Sequence, residues 1–394
     1  MAEIYLDNSA TTPICDEAKR AMLCAMECYG NPSSLHSKGF ESSKMIEEAR
    51  KKILNSLFVR NGKADNLIFT AGGTEADNLA LLGVAYAKTR RANRIITTDS
   101  EHSAIEKTLQ SLEADGFEVV RLTTVGGKID ISEFEEAMSK NTLLVTIMHV
   151  NNETGAVYNI KDCFKLAKQI NPDVVTHTDA VQSYMKMKVS PSELYADLIS
   201  ISAHKIHGPK GIGALYVSSD IIKKKQLQPI IHGGGQESSF RSGTENLIGI
   251  VGFGAAAERG YKNLSSEVRT LREIRSYAVD KLSALNVRVN TPLGECAPHI
   301  INITLPSIKS ETMLHYLSAS GIYVSSGSAC SSNSASKRVS RALKGFGMTD
   351  FEADCSMRIS LSAQNTKDDI DKLVLAVEDG IKKLVKISVA QKVL

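Results

Sequence analysis

The sequence has no CxxC pair, no long run of apolar residues and no strong excess of charge of either sign, and each absence removes a class of protein. Seven cysteines scattered over 394 residues, an odd number, fit neither a disulfide framework nor a zinc site, and the spacing of Cys24 and Cys28 suits one face of a helix. No metal is expected, and a reducing cytoplasm is the expected compartment. A net charge of +3 is too mild for a nucleic-acid footprint, and "KKK" at Lys223 to Lys225 reads as a solvated helix face. The opening "MAEIYLDNSATT" lacks a basic segment followed by an apolar one, and stretches such as "IGIVGFGAAA" are too short to span a bilayer, so neither export nor a membrane partner is expected. No repeat, low-complexity tract or Pro-rich linker is visible.

What is present is a regular alternation. From about Ala64 to Val217, "NLIFT", "RIITT", "FEVVRL", "LLVTIMHV", "VVTHTD", "LISIS" and "GALYVS" read as strands, with "EADNLALLGVAYAK", "AIEKTLQSLEAD" and "IKDCFKLAKQI" as helices between several of them. Strands this apolar, joined by helical crossovers, predict an α/β fold with a mainly parallel seven-stranded sheet covered on both faces. Past a helical stretch near "SSEVRTLREIRSYAVDKLSAL" the elements shorten to "HIINITL", "ETMLHYLSASG", "SMRISL" and a closing helix after Thr366. This predicts a large domain over 13–260, and a smaller α+β domain formed by 1–12 and 261–394.

In such sheets ligands gather where the strands end. "TAGGTEADN" puts Gly73 and Thr74 between a strand and a helix, where free backbone N–H groups and the helix dipole can hold a phosphate. "SEHSA" puts His102 after a strand, "HVNNETG" does the same for Asn152, and "HTDAVQS" for Asp179 and Gln182. His, Asn and Asp also cap helices and close turns, so no one of these positions is decisive alone. Lys205, in "SAHKIHGPKGIGALYV", ends the next strand. A surface lysine is the ordinary reading, yet here an amine can face the same ligand as the Asp179 carboxylate. Lys210, its rival, sits within the following turn. An amine for a Schiff base, a carboxylate for a pyridine nitrogen and backbone donors for a phosphate together specify pyridoxal 5'-phosphate.

"YLDNSATT", "GNPSSLH", "TEADN", "SEHSA", "HVNNETG", "TDAVQS", "SAHKIHGPKGIGALYV", "GGGQE", "RSGTEN" and "SSGSACSS" occur in the order and at about the spacing of the NifS/IscS-like cysteine desulfurases, so the chain resembles that family over nearly its whole length. The resemblance implies the fold type I of pyridoxal-phosphate-dependent transferases, a homodimer, and conversion of L-cysteine to L-alanine with the sulfur left as a persulfide on the enzyme. It implies Lys205 as the Schiff-base lysine, Asp179 as partner of the pyridine nitrogen and His102 as the imidazole stacked on the ring. Asn152 and Gln182 would meet ring substituents or substrate. Gly73, Thr74, Ser202 and His204 would hold the phosphate, joined by Thr244 of the other subunit. Arg358, in "SMRISL", would clamp the substrate carboxylate with a planar two-pronged donor, and Asn31 would shape the mouth of the pocket. Cys330, among small polar residues in "SSGSACSSNSAS", would be the sulfur-accepting thiolate, whereas Cys15, Cys24, Cys28, Cys163, Cys296 and Cys355 lie in helical or apolar contexts.

Two departures stand out. After Cys330 the family often has a Pro-Ser pair where this chain reads "SASKRVSRAL", about one residue shorter, and Ser362 takes the place of a glycine that often follows "RISL". Both bear on the cysteine loop and thus on the acceptor, with an iron-sulfur scaffold, a tRNA thiolation protein and a thio-cofactor pathway all open. An aminotransferase or selenocysteine lyase of the same fold would share the cofactor residues, and a catalytically silent scaffold would need neither Lys205 nor Cys330.

Overall fold

The structure, a computed structural model, describes residues 3–88, 92–292, 294–326 and 340–391. After the N-terminal strand β1 (Ile4–Tyr5) come seven strands of one sheet: β2 (Leu67–Thr70), β3 (Arg94–Thr98), β4 (Glu118–Leu122), β5 (Thr142–Thr146), β6 (Val175–Asp179), β7 (Leu198–Ser202) and β8 (Gly213–Val217). Their order is β2-β8-β7-β6-β5-β3-β4. The pairs β3/β4, β3/β5, β5/β6 and β6/β7 are parallel, while β8 is antiparallel to both neighbours. The sheet is thus mainly parallel, as expected. Every residue of β2, β5, β6, β7 and β8 is buried, as a sheet covered on both faces requires, with Thr, Ser and His placed among the apolar residues.

Four helices matter for the site: α1 (Asp16–Met26), α2 (Ser37–Ser56), α3 (Gly73–Lys88) and α4 (Ser103–Ala114). In α4, Ile105, Leu109 and Leu112 recur at helical spacing and bury against the sheet with Ala76, Ala80 and Val84 of α3. The helical stretch expected near residue 270 is longer than its pattern suggested. It begins at Leu247 and runs to Ser283 without interruption, crossing the expected domain boundary at 260. Its first turns carry glycines because neighbours come close: a Cβ at Gly254 would stand 2.7 Å from Ala49 Cα of α2. Leu247, Ile250 and Phe253 belong to the core around the sheet, and Leu271, Ile274, Ala278 and Leu282 to a second core.

That second core also takes Ile4 and Leu6, with β1 pairing in parallel with Ile322–Tyr323. It is completed by an antiparallel sheet in the order Ser325–Ser326, Ser356–Ser360, Ile300–Thr304 and Arg288–Val289, and by the helices Ser310–Ala319 and Lys367–Gln391. Among the described residues no helix is long and apolar enough to cross a membrane.

Candidate active site

β2 ends at Thr70 and α3 begins at Gly73, so a helix N-terminus faces the edge where the parallel strands finish. The approach is tight: a Cβ on Gly73 would lie 2.7 Å from Val181 Cγ2, in the turn after β6. Thr74 is exposed at this helix end, and Ser202, the last residue of β7, has a buried hydroxyl with no hydrogen-bond partner. His204 Nδ1 lies 3.2 Å from Thr11 Oγ1, which ties the turn after β7 to the N-terminal segment.

These groups border a cavity of about 420 Å³, whose lining also includes Lys205, Asp179, His102, Asn152, Gln182 and Arg358. Lys205 closes the short turn Ala203–Lys205, and its Nζ donates to the carbonyls of Ser9 and, at 2.8 Å, of Ala10. Asp179 is the last residue of β6 and is buried. Burial pushes its carboxyl pKa up, while His102, the Val181 N–H (2.9 Å) and Lys205 pull it down. His102 is the N-cap of α4, where its Nδ1 accepts from the Ala104 N–H at 3.2 Å. In the neutral ring this leaves the proton on Nε2. Burial lowers the imidazole pKa, with Asp179 opposing that effect and Lys205 adding to it. Asp77, His102 and Asp179 present ligand-type atoms within 4.8 Å of one another.

Arg358 reaches the cavity from Ser356–Ser360, an inner strand of the small sheet. One guanidinium nitrogen donates to the Asn152 carbonyl at 2.9 Å and another to Asp7 Oδ1 at 2.9 Å, while its buried Nε has no partner. Gln182 donates to the Ser9 carbonyl at 3.0 Å, and its Oε1 lies 3.4 Å from His299 Nε2. The N-terminal segment is therefore the floor that two side chains share, and it carries Asp7 and Ser9 into the lining with Asp77 and Ser325. Those four were missed as individual residues although each lies in a motif singled out above. For Asp77 a signal existed: an acid at the helical spacing of Ala80, Leu81 and Val84 in an otherwise apolar face.

Within one chain, Thr244 lies elsewhere, bordering a separate cavity of about 250 Å³ with Arg241 and Gly211. Asn31 is exposed outside the main cavity, and its Oδ1 accepts from the Ser33 N–H at 2.9 Å. Cys330 lies outside the described residues. The segment that carries it is followed by Ser340, whose hydroxyl donates to Glu153 Oε1 at 2.7 Å, and Arg341, which pairs with Glu106 and donates to the Asp99 carbonyl at 3.0 Å.

A sheet of this topology, with a lysine and a buried aspartate at neighbouring strand ends, defines a fold type I transferase. The aminotransferase class-V family model matches residues 4–373, and the chain belongs to that family, which is pyridoxal-phosphate-dependent in general. Within it, the chain is 40% identical over 390 residues to the cysteine desulfurase IscS of Dictyoglomus turgidum, covering 98% of this chain and 96% of that one. A solved NifS-like protein superposes with a TM-score of 0.89 at 34% identity, covering 97% and 100% of the two chains. SspA, solved in complex with cysteine, superposes with a TM-score of 0.80 at 32% identity over 93% of this chain and 100% of that one.

Proposed function

We infer that the chain is a pyridoxal-phosphate-dependent cysteine desulfurase that converts L-cysteine to L-alanine and keeps the sulfur as a persulfide on Cys330. The observation that carries this reading is the convergence of Lys205, Asp179, His102 and Arg358 on one cavity at the strand ends. The residues present fit the cofactor. Lys205 would hold it covalently, Asp179 would face its pyridine nitrogen and His102 its ring. Gly73, Thr74, Ser202 and His204 would take the phosphate, and the unpartnered Ser202 hydroxyl supports that role. Asn152 and Gln182 would contact ring substituents or substrate.

When bound, the cofactor supplies an electron sink for charge developing on the substrate carbon. The chain's own groups do the rest. Arg358 orients the substrate carboxylate through its planar donors, with Asp7 fixing the guanidinium plane. The amine of Lys205, freed from its covalent role, moves the proton at the substrate α-carbon. His102, whose Nδ1 is engaged by the Ala104 N–H, exchanges a proton through Nε2. The Cys330 thiolate attacks the substrate sulfur; the S–S bond forms as the C–S bond breaks, the C–S electron pair stays with the β-carbon, and a proton taken up there completes the methyl group of the departing alanine.

The active unit is proposed to be a homodimer in which Thr244 of a second copy joins the phosphate site, consistent with its distance from the main cavity within one chain. Asn31 is assigned to the cavity mouth in that dimer. The domain division at 12/13 and 260/261, a cytoplasmic location and a sulfur-accepting partner protein, such as an iron-sulfur scaffold or a tRNA thiolation protein, complete the reading.

The test is alanine formation from L-cysteine, with trapping of the persulfide and peptide mapping. Cys330→Ser should load pyridoxal phosphate as the parent does, because no cofactor contact is assigned to this side chain. Its alanine formation should fall by at least two orders of magnitude, on the order of 3 kcal/mol in barrier, because a hydroxyl has no accessible anionic form at neutral pH. Near-parental turnover in Cys330→Ser, or a persulfide on another cysteine, overturns the assignment.

A further inference from the structure

Asp77 lies on the buried face of α3 at 1% exposure, and its carboxyl shares the space beneath the cavity with Asp179. Behind it stands His177, whose Nε2 is 3.8 Å from Asp77 Oδ1 and 2.9 Å from Ser200 Oγ, and whose Nδ1 is 2.8 Å from Thr146 Oγ1. Two carboxyls this close in a dry interior cannot both carry charge cheaply, so one keeps its proton.

The partners of each decide which. Asp179 accepts the Val181 N–H at 2.9 Å and faces His102 and Lys205, all of which favour its anion. Asp77 Oδ1, by contrast, is buried without a hydrogen-bond partner; burial first and then the facing Asp179 push its carboxyl pKa well up, the Ser200 hydroxyl pulls the other way, and Glu101 adds a smaller upward push. His177 supplies no compensating positive charge, because burial drives its pKa down to about 3.

We propose that Asp77 is a positioning residue held as a neutral carboxylic acid beneath the site, so that the single negative charge of the pair rests on Asp179. Its use in catalysis rests on the cofactor reading above, since it is Asp179 that must meet a protonated pyridine nitrogen. Its protonation, however, is a property of the chain alone and can be measured without cofactor.

The experiment uses the full-length apoprotein with isotope-labelled aspartate. At pH 7 its infrared spectrum should contain a label-sensitive carbonyl band of a protonated aspartic acid, and Asp77→Asn should remove it. A stability measurement tests the same point. An acid that stays protonated on folding contributes stability below the ordinary aspartate pKa, and loses that contribution as pH rises. Asp77→Asn escapes the loss, so its gain in thermal midpoint over the parent should widen by about 2 °C or more between pH 4 and pH 8. If the asparagine variant does not fold, Asp77→Ser serves for both readouts. Absence of any aspartic acid band in the parent overturns the proposal without recourse to a variant. So does a band that survives in Asp77→Asn and vanishes in Asp179→Asn, or a stability gain that is flat with pH. A missing band in a parent that binds pyridoxal phosphate normally sinks this inference alone, whereas failure of the parent to bind pyridoxal phosphate sinks the functional reading and leaves the band where it is.

Discussion

Lys205 is set apart from the other lysines by its surroundings. Its amine meets the carbonyls of Ser9 and Ala10, lies close enough to Asp179 to oppose the burial that raises that acid's pKa, and sits at a strand end rather than on a helix face. Lys210, five residues later, is exposed. Lys205→Ala should therefore abolish covalent retention of pyridoxal phosphate: after borohydride reduction, mass analysis should find no cofactor adduct in the variant and one on the Lys205 peptide of the parent. An adduct that simply moves to Lys210 would remove the assignment. Arg358 could be foreseen from its motif, but its dependence on Asp7 could not, because the two are brought together across hundreds of residues by the small sheet and the N-terminal segment.

The helix α3 and the strand β8 meet with no room for a side chain. A Cβ at Gly213, the first residue of β8, would stand 2.6 Å from the Gly72 carbonyl carbon and 2.7 Å from the Ile201 carbonyl oxygen, both of them backbone atoms that cannot rotate away. Gly213→Ala should thus push apart β7, β8 and the loop that starts α3. The expected cost is about 1–3 kcal/mol, as for other overpacked sites, together with weaker pyridoxal phosphate retention, because the displaced loop leads directly into Gly73 and Thr74 at the start of α3. Thermal midpoint and cofactor dissociation rate measure the two effects, and a variant with parental values in both would show that the loop can yield. The glycine itself was visible in "GPKGIGALYV", but which backbone it must admit was not.

The buried titratable groups give the molecule a stability profile with a worked sign. Burial lowers His149, His204 and His207 to about 4 and His177 to about 3, and drives His299 well below its usual value. The unfolded chain takes up protons at these positions below about pH 6.5, so their contribution is intact above that pH and is lost as pH falls toward 4. Burial acts oppositely on Glu101, raised to about 8, and Glu153, raised to about 7, whose contribution is present at low pH and lost as pH rises through those values. Each proton weighs about 1.4 kcal/mol per pH unit. With six imidazoles, His102 among them, set against Glu101, Glu153 and the one proton kept by the Asp77–Asp179 pair, the apoprotein's thermal midpoint should peak near neutrality and fall more steeply on the acid side. Glu153→Gln should gain at pH 8 relative to the parent but not at pH 4.5, and a gain equal at both would contradict the sign. At the level of the assembly, mixing Lys205→Ala with Thr244→Ala should restore activity in heterodimers, since one site would carry both lesions and the other neither. No recovery in demonstrated heterodimers would rule out the shared phosphate site.

The strands of the large sheet, the crossover helices beside them and the strand-end positions of Lys205, Asp179 and His102 were legible in the chain, because apolar periodicity and local turn chemistry act over a few residues and leave their mark there. The length of the helix Leu247–Ser283 was not legible, since only its later turns were picked out by their pattern and the close neighbours that its first glycines admit, Ala49 among them, come from distant sequence. The ordering β2-β8-β7-β6-β5-β3-β4, the pairing of Arg358 with Asp7 and the crowding of Asp77 against Asp179 were decided only by tertiary structure. Each depends on which distant segments share a dry space, and burial of a charge has no energy until the groups around it are known.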